Sequence, residues 1–165
     1  MSAFTFSGWE NFFVASAGAA AGLAGLLFVA LSVNLARILK VPGLASRAGE
    51  TFIPLAVVLI ISLLALVPGY SVRAFAIHLI CIGALTWSVA SSIQIHAIRA
   101  GHYLKVEHLI LRLAISQPAN LAILLAGLSL FFGFPGGLYW LVPAVMLAFA
   151  GAMANAWILT VEILR

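Results

Sequence analysis

The feature that most constrains the fold is a stretch of 49 residues, 113–161, that contains no charged side chain. A soluble domain needs ionised groups on its surface. The hydrocarbon core of a bilayer instead penalises each Arg, Lys or Asp at a helix centre by about 2.5–3.5 kcal/mol on insertion scales. The whole chain shows the same bias, because 65% of its 165 residues are hydrophobic and 7% are charged. The sequence therefore predicts an integral membrane protein with a single transmembrane domain, residues 1–165.

Five apolar runs are long enough to cross a bilayer core of ~30 Å, which takes about 20 residues of helix. They cover about 11–36, 51–68, 74–98, 113–132 and 138–161. Gly and Pro interrupt the apolar pattern at Pro42-Gly43, Pro68-Gly69 and 133–137, and Gly101 lies in the third connection. Backbone groups facing lipid must be paired internally, so an all-α bundle of five transmembrane helices follows. The short connections predict that consecutive helices are antiparallel neighbours.

The distribution of cations predicts the orientation. Arg73 alone falls in the connections on one side, whereas the other seven Lys and Arg residues fall on the opposite side. The positive-inside rule then places the N-terminus outside and the C-terminus inside. The outer ends also carry aromatic residues, which suggest an interfacial belt: Trp9, Phe12, Phe13, Tyr70, Tyr139 and Trp140.

Small residues form a stripe in the first span and a patch in the fifth. Gly18, Gly22 and Gly25 share one helical face, and a second patch contains Ala148, Gly151, Ala152 and Asn155. Helices in lipid associate through close van der Waals approach, which small side chains permit. Two interpretations remain open, since these faces can pack within one chain or form the interface of a homo-oligomer.

Polar side chains concentrate in the cytoplasmic half of the spans, where their burial is costly. The set comprises Ser88, Ser91, Gln94, Ser116, Gln117, Asn120, Asn34 and Asn155. The spacing predicts that Ser88, Ser91 and Gln94 or His96 share a face. Pro118 cannot donate a backbone hydrogen bond and frees the carbonyl of Ala114. These residues either join the helices by hydrogen bonds or line a polar cavity that opens to the cytoplasm.

Four charged residues lie at similar depth near the inner boundary: Arg37, Glu50, Arg112 and Glu162. Two charges of each sign can interlock as ion pairs, with Arg112 as the best candidate for an intramembrane partner of Glu50 or Glu162. The alternative is that long arginine stems extend to the headgroups. The cations on this side are expected to contact anionic lipid headgroups.

The chain offers little for catalysis or for a cofactor. His96 and His108 are predicted at similar depth on facing helices, as a haem or a metal would require, but the loop around them also fits a basic interfacial segment. No zinc-protease, nucleophile-elbow or phosphate-binding motif occurs, and there is no pair of catalytic carboxylates. No contiguous basic face suggests nucleic-acid binding. We therefore expect no enzymatic activity, no cofactor and no resident metal.

The chain resembles a family of small, mostly uncharacterised bacterial multi-pass membrane proteins, some of which are described as modulators of a membrane-bound AAA protease. Residues 8–35 carry the resemblance, GWENFFVASAGAAAGLAGLLFVALSVNL, together with Pro42-Gly43-Leu44 and the stretch from Gly137 to the closing NAWILTVEILR. The resemblance covers essentially the full length. It implies a location in the bacterial cytoplasmic (inner) membrane.

Three functions agree with these features. The first is a small homo-oligomeric channel or transport protein, with its pathway along the polar residues of the third and fourth spans. The second is a non-catalytic accessory or regulatory subunit of a larger membrane complex, such as a membrane protease. The third and most remote is a haem- or metal-binding membrane protein.

Overall fold

The computed structural model describes the backbone of residues 3–38, 44–99 and 106–164. Within these ranges the chain is helical, with no strand. Five long helices are joined by short connections, and a four-residue helix follows the first of them. The elements are α1 Glu10–Val33, α2 Leu35–Ile38, α3 Leu44–Ala65, α4 Val72–Arg99, α5 Val106–Phe132, a 3-10 turn Gly137–Trp140 and α6 Leu141–Leu164.

The limits of α1 follow from local chemistry. Glu10 lies in the first turn, where a carboxylate complements the positive end of the helix dipole, and its Oε2 accepts a hydrogen bond from the Gly8 amide at 2.7 Å. The helix ends at Val33. The next residue, Asn34, donates its side-chain amide to the Ala30 carbonyl at 2.9 Å. The first predicted span, 11–36, is therefore divided at Asn34 between α1 and α2.

The break predicted within the 49-residue apolar stretch is confirmed. Gly133, Gly136 and Gly137 have φ angles of 76°, 111° and 48°, in the left-handed region where a Cβ would be strained. Ser129 stabilises this connection. Its hydroxyl donates to the Phe134 carbonyl at 2.6 Å and accepts from the Gly137 amide at 2.7 Å. The chain therefore reverses between α5 and α6.

The five long helices pack in the order α1, α3, α6, α5, α4. Three of the four consecutive pairs are neighbours, as predicted. The exception is α3 and α4, which contact each other much less than α3 contacts α1 and α6. The expectation of neighbouring consecutive helices was wrong for this pair because α6 returns to pack on α3. At one end of the bundle α1 and α4 also come together, because the rings of Phe13 and Phe75 are in contact there.

A cluster of aromatic and aliphatic side chains fills one end of the bundle, which we call the aromatic end. Residues 3–9, 66–71 and 133–140 lie there. Phe13 and Phe75 are 1% and 0% exposed, and their ring centroids are 6.3 Å apart. Trp9 is also buried and packs edge-on against the Tyr139 ring at 4.9 Å. The predicted aromatic belt was thus wrong for Trp9 and Phe13, which belong to the core, whereas Tyr139 and Trp140 are exposed.

Toward the opposite end, α1, α3 and α6 form a compact group of three helices. Ala148 of α6 packs with Ala20 of α1 and Val58 of α3, and one turn further Ala152 packs with Leu27 and Leu55. The small side chains of the fifth predicted span therefore allow contact within the chain.

Two glycines allow α4 and α5 to approach closely. A Cβ added at Gly127 would lie 2.8 Å from the Ile80 backbone nitrogen and 3.0 Å from the Ala76 carbonyl oxygen. A Cβ at Gly83 would lie 3.0 Å from the Leu124 nitrogen. Since the neighbouring atoms are backbone, neither helix can yield by changing a side-chain rotamer. The α4–α5 separation is therefore set by the absence of side chains at these positions.

Three segments are long and apolar enough to cross a membrane: Glu10–Val33, Val72–His96 and Gly137–Trp157. Shorter apolar segments, Thr51–Ala65 and Ser116–Phe132, lie in α3 and α5. These lengths and compositions agree with the membrane protein that the sequence predicts.

Replacing Gly127 with Ala should destabilise the α4–α5 pair, because the new methyl group overlaps backbone atoms. We expect a loss of about 1–3 kcal/mol in the free energy of unfolding, as for other overpacked cores. Unfolding in mixed micelles, followed by circular dichroism, measures it. Gly49→Ala is the matched control, since Gly49 is also helical and its Cβ would meet nothing within 4 Å. Equal stability of the two variants would contradict the close approach.

Candidate functional site

A chain of side-chain hydrogen bonds joins α4 to α5. Trp87 Nε1 donates to Gln117 Oε1 at 2.6 Å, Gln117 Nε2 donates to Gln94 Oε1 at 2.6 Å, and Gln94 Nε2 donates to Ser116 Oγ at 2.8 Å. Asn120 lies beside it on α5 and donates to the Ser116 backbone carbonyl at 3.0 Å. We call these five residues the amide cluster. The structure thus brings together four of the residues predicted from the sequence, Gln94, Ser116, Gln117 and Asn120.

The amide cluster extends from a buried position to the surface of the bundle. Gln94 is 4% exposed, Gln117 is half-buried and Trp87 is 43% exposed. A primary amide has two N–H donors, and the chain of bonds uses one from each glutamine. The second hydrogen of each amide makes no hydrogen bond to the described residues. The cluster can therefore join the helices, and the half-buried amide of Gln117 keeps one donor that another molecule could reach.

Local structure explains why these side chains meet. Trp87 and Gln94 are seven residues apart, two helical turns, so both project toward α5. Ser116 and Gln117 are adjacent on α5, and that helix continues through Pro118. The close approach at Gly83 and Gly127 holds the two helices near enough for the short serine side chain to reach its partner.

The other polar residues of α4 do not share this face. Ser88, Ser92 and His96 are exposed, and Ser91 is half-buried. The Ser88 hydroxyl donates to the Ala84 carbonyl of its own helix at 2.7 Å, and the Ser92 hydroxyl donates to the Ser88 carbonyl at 2.7 Å. The predicted common face of Ser88, Ser91 and Gln94 or His96 was therefore wrong. Successive steps of three residues turn by about 300°, so Gln94 has rotated away from Ser88.

The remaining members of the predicted polar set lie elsewhere. Asn34 is at the end of α1 and bonds to its own helix. Asn155 is half-buried on α6. Among the described residues, neither makes a hydrogen bond to α4 or α5. The side chains of the predicted ion pairs, Arg37, Glu50, Arg112 and Glu162, lie outside the described part of the structure, as does that of His108.

The glycines of α1 face away from the rest of the chain. Gly18, Gly22 and Gly25 are exposed, and a Cβ at any of them would meet nothing within 4 Å. The opposite face of α1 is the buried one, with Phe13, Ala17, Ala20 and Leu27. Packing within the chain therefore uses the alanines of α1 and leaves this stripe of glycines open. Gly151 on α6 is half-buried.

A small cavity of about 50 Å³ lies between α1, α3 and α6. Its walls are apolar except for Thr51, and they comprise Leu23, Leu27, Leu55, Ala152, Met153 and Ala156. The amide cluster does not contribute to it.

At the aromatic end, His78 Nδ1 lies 2.8 Å from the Ala74 carbonyl oxygen and 2.9 Å from the Tyr70 hydroxyl. Among the described side chains, no three His, Cys, Asp or Glu residues lie close enough to hold a metal ion.

Two residues that organise these sites were not predicted. Trp87 begins the amide cluster, and its position seven residues before Gln94 is the signal that could have shown it. Ser129 organises the connection between α5 and α6. It lies in an apolar run, and the first residue with which it forms a hydrogen bond, Phe134, is five residues further along the chain. No local sequence pattern therefore indicates its role.

Comparison with protein-family models, curated proteins and solved structures finds no match for this chain.

A double-mutant cycle measures the central bond of the amide cluster. Gln94→Leu and Ser116→Ala each remove one partner, and we expect a coupling energy of about 0.6 kcal/mol, with about 1.7 kcal/mol as the upper end for such bonds in membranes. Unfolding in mixed micelles gives the four free energies. The control cycle pairs Thr86→Val with Ser116→Ala, because the Thr86 hydroxyl donates to carbonyls of its own helix. Its coupling should be near zero, and equal coupling in both cycles would refute the contact.

Proposed function

We propose that this protein is a five-span component of the bacterial cytoplasmic membrane, with the N-terminus outside and the C-terminus inside, and that it works as a homo-oligomeric channel or transport protein. The observation that supports this best is the amide cluster. Polar side chains at membrane depth carry a cost and commonly mark pathways for substrates or ions. Here they form a connected set that reaches the bundle surface at Trp87 and keeps a spare amide donor at the half-buried Gln117.

The aromatic end bears on where such a pathway runs. Phe13, Phe75, Leu138 and Leu141, each at most 1% exposed, occupy the centre of the bundle there. A route along the axis of one chain would have to displace this packed core. The proposed pathway therefore follows the outer surface of the α4–α5 pair and is completed by another copy of the chain.

A second candidate is a non-catalytic accessory subunit of a larger membrane complex. The open glycine stripe of α1 favours it, because such a face accepts a transmembrane helix of any partner with matching small residues. The two functions agree on five spans and differ in the occupant of the exposed faces.

Cysteine accessibility tests the proposed orientation. In a Cys81→Ser background, Phe134→Cys at the aromatic end should react with a membrane-impermeant maleimide on intact spheroplasts. Arg99→Cys, exposed at the other end of α4, should react only in inside-out vesicles. The reverse pattern would invert the topology. Labelling of both sites from one side would contradict an odd number of spans between them.

Liposome flux separates the two functions. Purified protein in liposomes should conduct small ions or polar solutes, and Gln117→Leu should lower the flux by about tenfold, since it removes two bonds of the amide cluster. Leu121→Ile, one turn along α5 at an exposed position, is the matched control and should leave flux unchanged. Absence of flux, together with a stoichiometric partner after gentle solubilisation, would favour the accessory subunit.

A further inference from the structure

The aromatic end contains one buried hydrogen-bond donor without an acceptor. Trp9 is 5% exposed, and its Nε1 makes no hydrogen bond with the described residues. The rings of Phe12, Phe13 and Tyr139 pack around it, with centroids 5.6, 6.4 and 4.9 Å from its own. Ring faces are weak acceptors, whereas the N–H of a buried Trp usually finds a full partner. The unsatisfied donor therefore destabilises the aromatic end in this arrangement.

Trp9 would find acceptors nearby if its side chain left the core. It directly precedes Glu10–Val33, a segment apolar enough to cross a membrane, so it lies where that helix meets the membrane surface. Trp is enriched at this level of a bilayer, because its ring stays in apolar surroundings while its N–H reaches the polar interface. The core thus suits the ring of Trp9, and the headgroup layer suits its N–H.

Residues 3–9, which we call the strap, hold Trp9 in its buried position. The amide of Leu138 donates to the carbonyl of Ala3 at 2.9 Å and so ties the strap to the 3-10 turn before α6. Next to Trp9, Gly8 has a φ angle of 83°, which glycine adopts without strain. The strap precedes the first residue of α1, so it can move without unfolding a helix.

Phe6 of the strap lies between α1 and α4. Its ring centroid is 6.4 Å from that of Phe13 on α1 and 5.2 Å from that of Phe75 on α4. The backbones of α1 and α4 do not pack closely on each other, so aromatic rings fill the space between these helices. The contact between α1 and α4 therefore depends on the position of the strap.

The first half of α4 is more deeply buried than the second. Its buried residues in that half are Phe75, Ala76, Leu79 and Gly83. Among the described side chains of residues 84–99, only Gln94 is buried, and it bonds to α5. Because α5 also packs on α6, the α4–α5 pair remains attached to the bundle without the strap. Movement of the strap would thus free the beginning of α4 from α1 while the bundle stays together.

We infer that the strap is a releasable closure of the aromatic end. In the bound state it places Phe6 between α1 and α4 and buries the Trp9 indole without an acceptor. In the released state Trp9 lies in the headgroup layer, where an oxygen of the interface accepts its N–H, and α4 loses the Phe6 ring that joins it to α1. The inference is independent of the proposed transport, since it concerns how the α4–α5 pair is held.

Gly137→Ala should release the strap. A Cβ at Gly137 would overlap the Ala3 carbonyl, so the added methyl group displaces the strap. The indole N–H signals of 15N-tryptophan protein are measured in phospholipid nanodiscs with a nitroxide-labelled headgroup lipid, and Trp9→Phe assigns the Trp9 signal. In the variant this signal should move downfield, because the proton gains an acceptor, and its paramagnetic broadening should rise severalfold. Trp140, exposed at the same end, should be broadened in every sample.

Gly133→Ala is the matched control. Gly133 and Gly137 have φ angles of 76° and 48°, so a side chain strains the backbone at both positions. A Cβ at Gly133 would meet nothing within 4 Å, and the strap should stay bound. The shift and broadening of the Trp9 signal should therefore equal those of the unmodified chain.

A second pair of variants releases the strap without backbone strain. Phe6→Ala removes the ring between α1 and α4, and it should shift and broaden the Trp9 signal as Gly137→Ala does. Phe134→Ala makes the same change at an exposed ring of the aromatic end and should leave the Trp9 signal in place.

Two results would overturn the inference. The first is a Trp9 signal that is unchanged in both Gly137→Ala and Phe6→Ala, since the burial of Trp9 would then not depend on the strap. The second is a Trp9 proton that is already downfield and little broadened in the unmodified chain. Such a signal would show that a buried water accepts the N–H and removes the reason for release. Neither result alters the liposome flux, so the proposed function is tested separately.

Discussion

The close approach of α4 and α5 at Gly83 and Gly127 is the constraint on which the rest of this structure depends. Lipid supplies no hydrophobic drive between helices, so their association relies on close packing and on hydrogen bonds. The two glycines allow the close packing, and this packing makes the hydrogen bonds possible. With larger residues there, the separated helices would leave Gln94 and Ser116 beyond hydrogen-bond reach. The packing at Gly83 and Gly127 thus determines whether the Gln94–Ser116 hydrogen bond can form, three helical turns away.

Much of the architecture could be predicted from composition and from the positions of glycine and proline. The apolar runs and the Gly-Pro breaks locate the helices, because a bilayer leaves few alternatives for the backbone. Which helices touch was less predictable. The sequence pattern of α3 contains nothing that distinguishes α4 from α6 as its neighbour, and the choice follows from Ala148 and Ala152 fitting against Val58 and Leu55. Likewise, Trp9 and Phe13 have the composition of an interfacial belt, and only the convergence of five helices makes them core.

For the polar residues, too, the spacing in the sequence predicted only part of the arrangement. Gln94 on α4 and Gln117 on α5 were predicted to belong to one polar set, and their side chains form a hydrogen bond. Their grouping with Ser88 failed because the two successive intervals of three residues, from Ser88 to Ser91 to Gln94, rotate the position by about 120° around the helix. The structure separates the amide cluster, which bonds across α4–α5, from the exposed Ser88 and Ser92, which donate to carbonyls of their own helix.

The amide of Leu138 donates to the carbonyl of Ala3 at 2.9 Å, and a side chain at Gly137 would overlap that same carbonyl. The first described residues are thereby joined to the 3-10 turn that precedes α6. During synthesis the amino-terminal segment has emerged long before this partner exists. The aromatic end is therefore complete only when the start of α6 is in place. Without the residues that follow Pro135, Trp9 would lose the Tyr139 ring against which it packs, whereas Phe13 would keep its contact with Phe75.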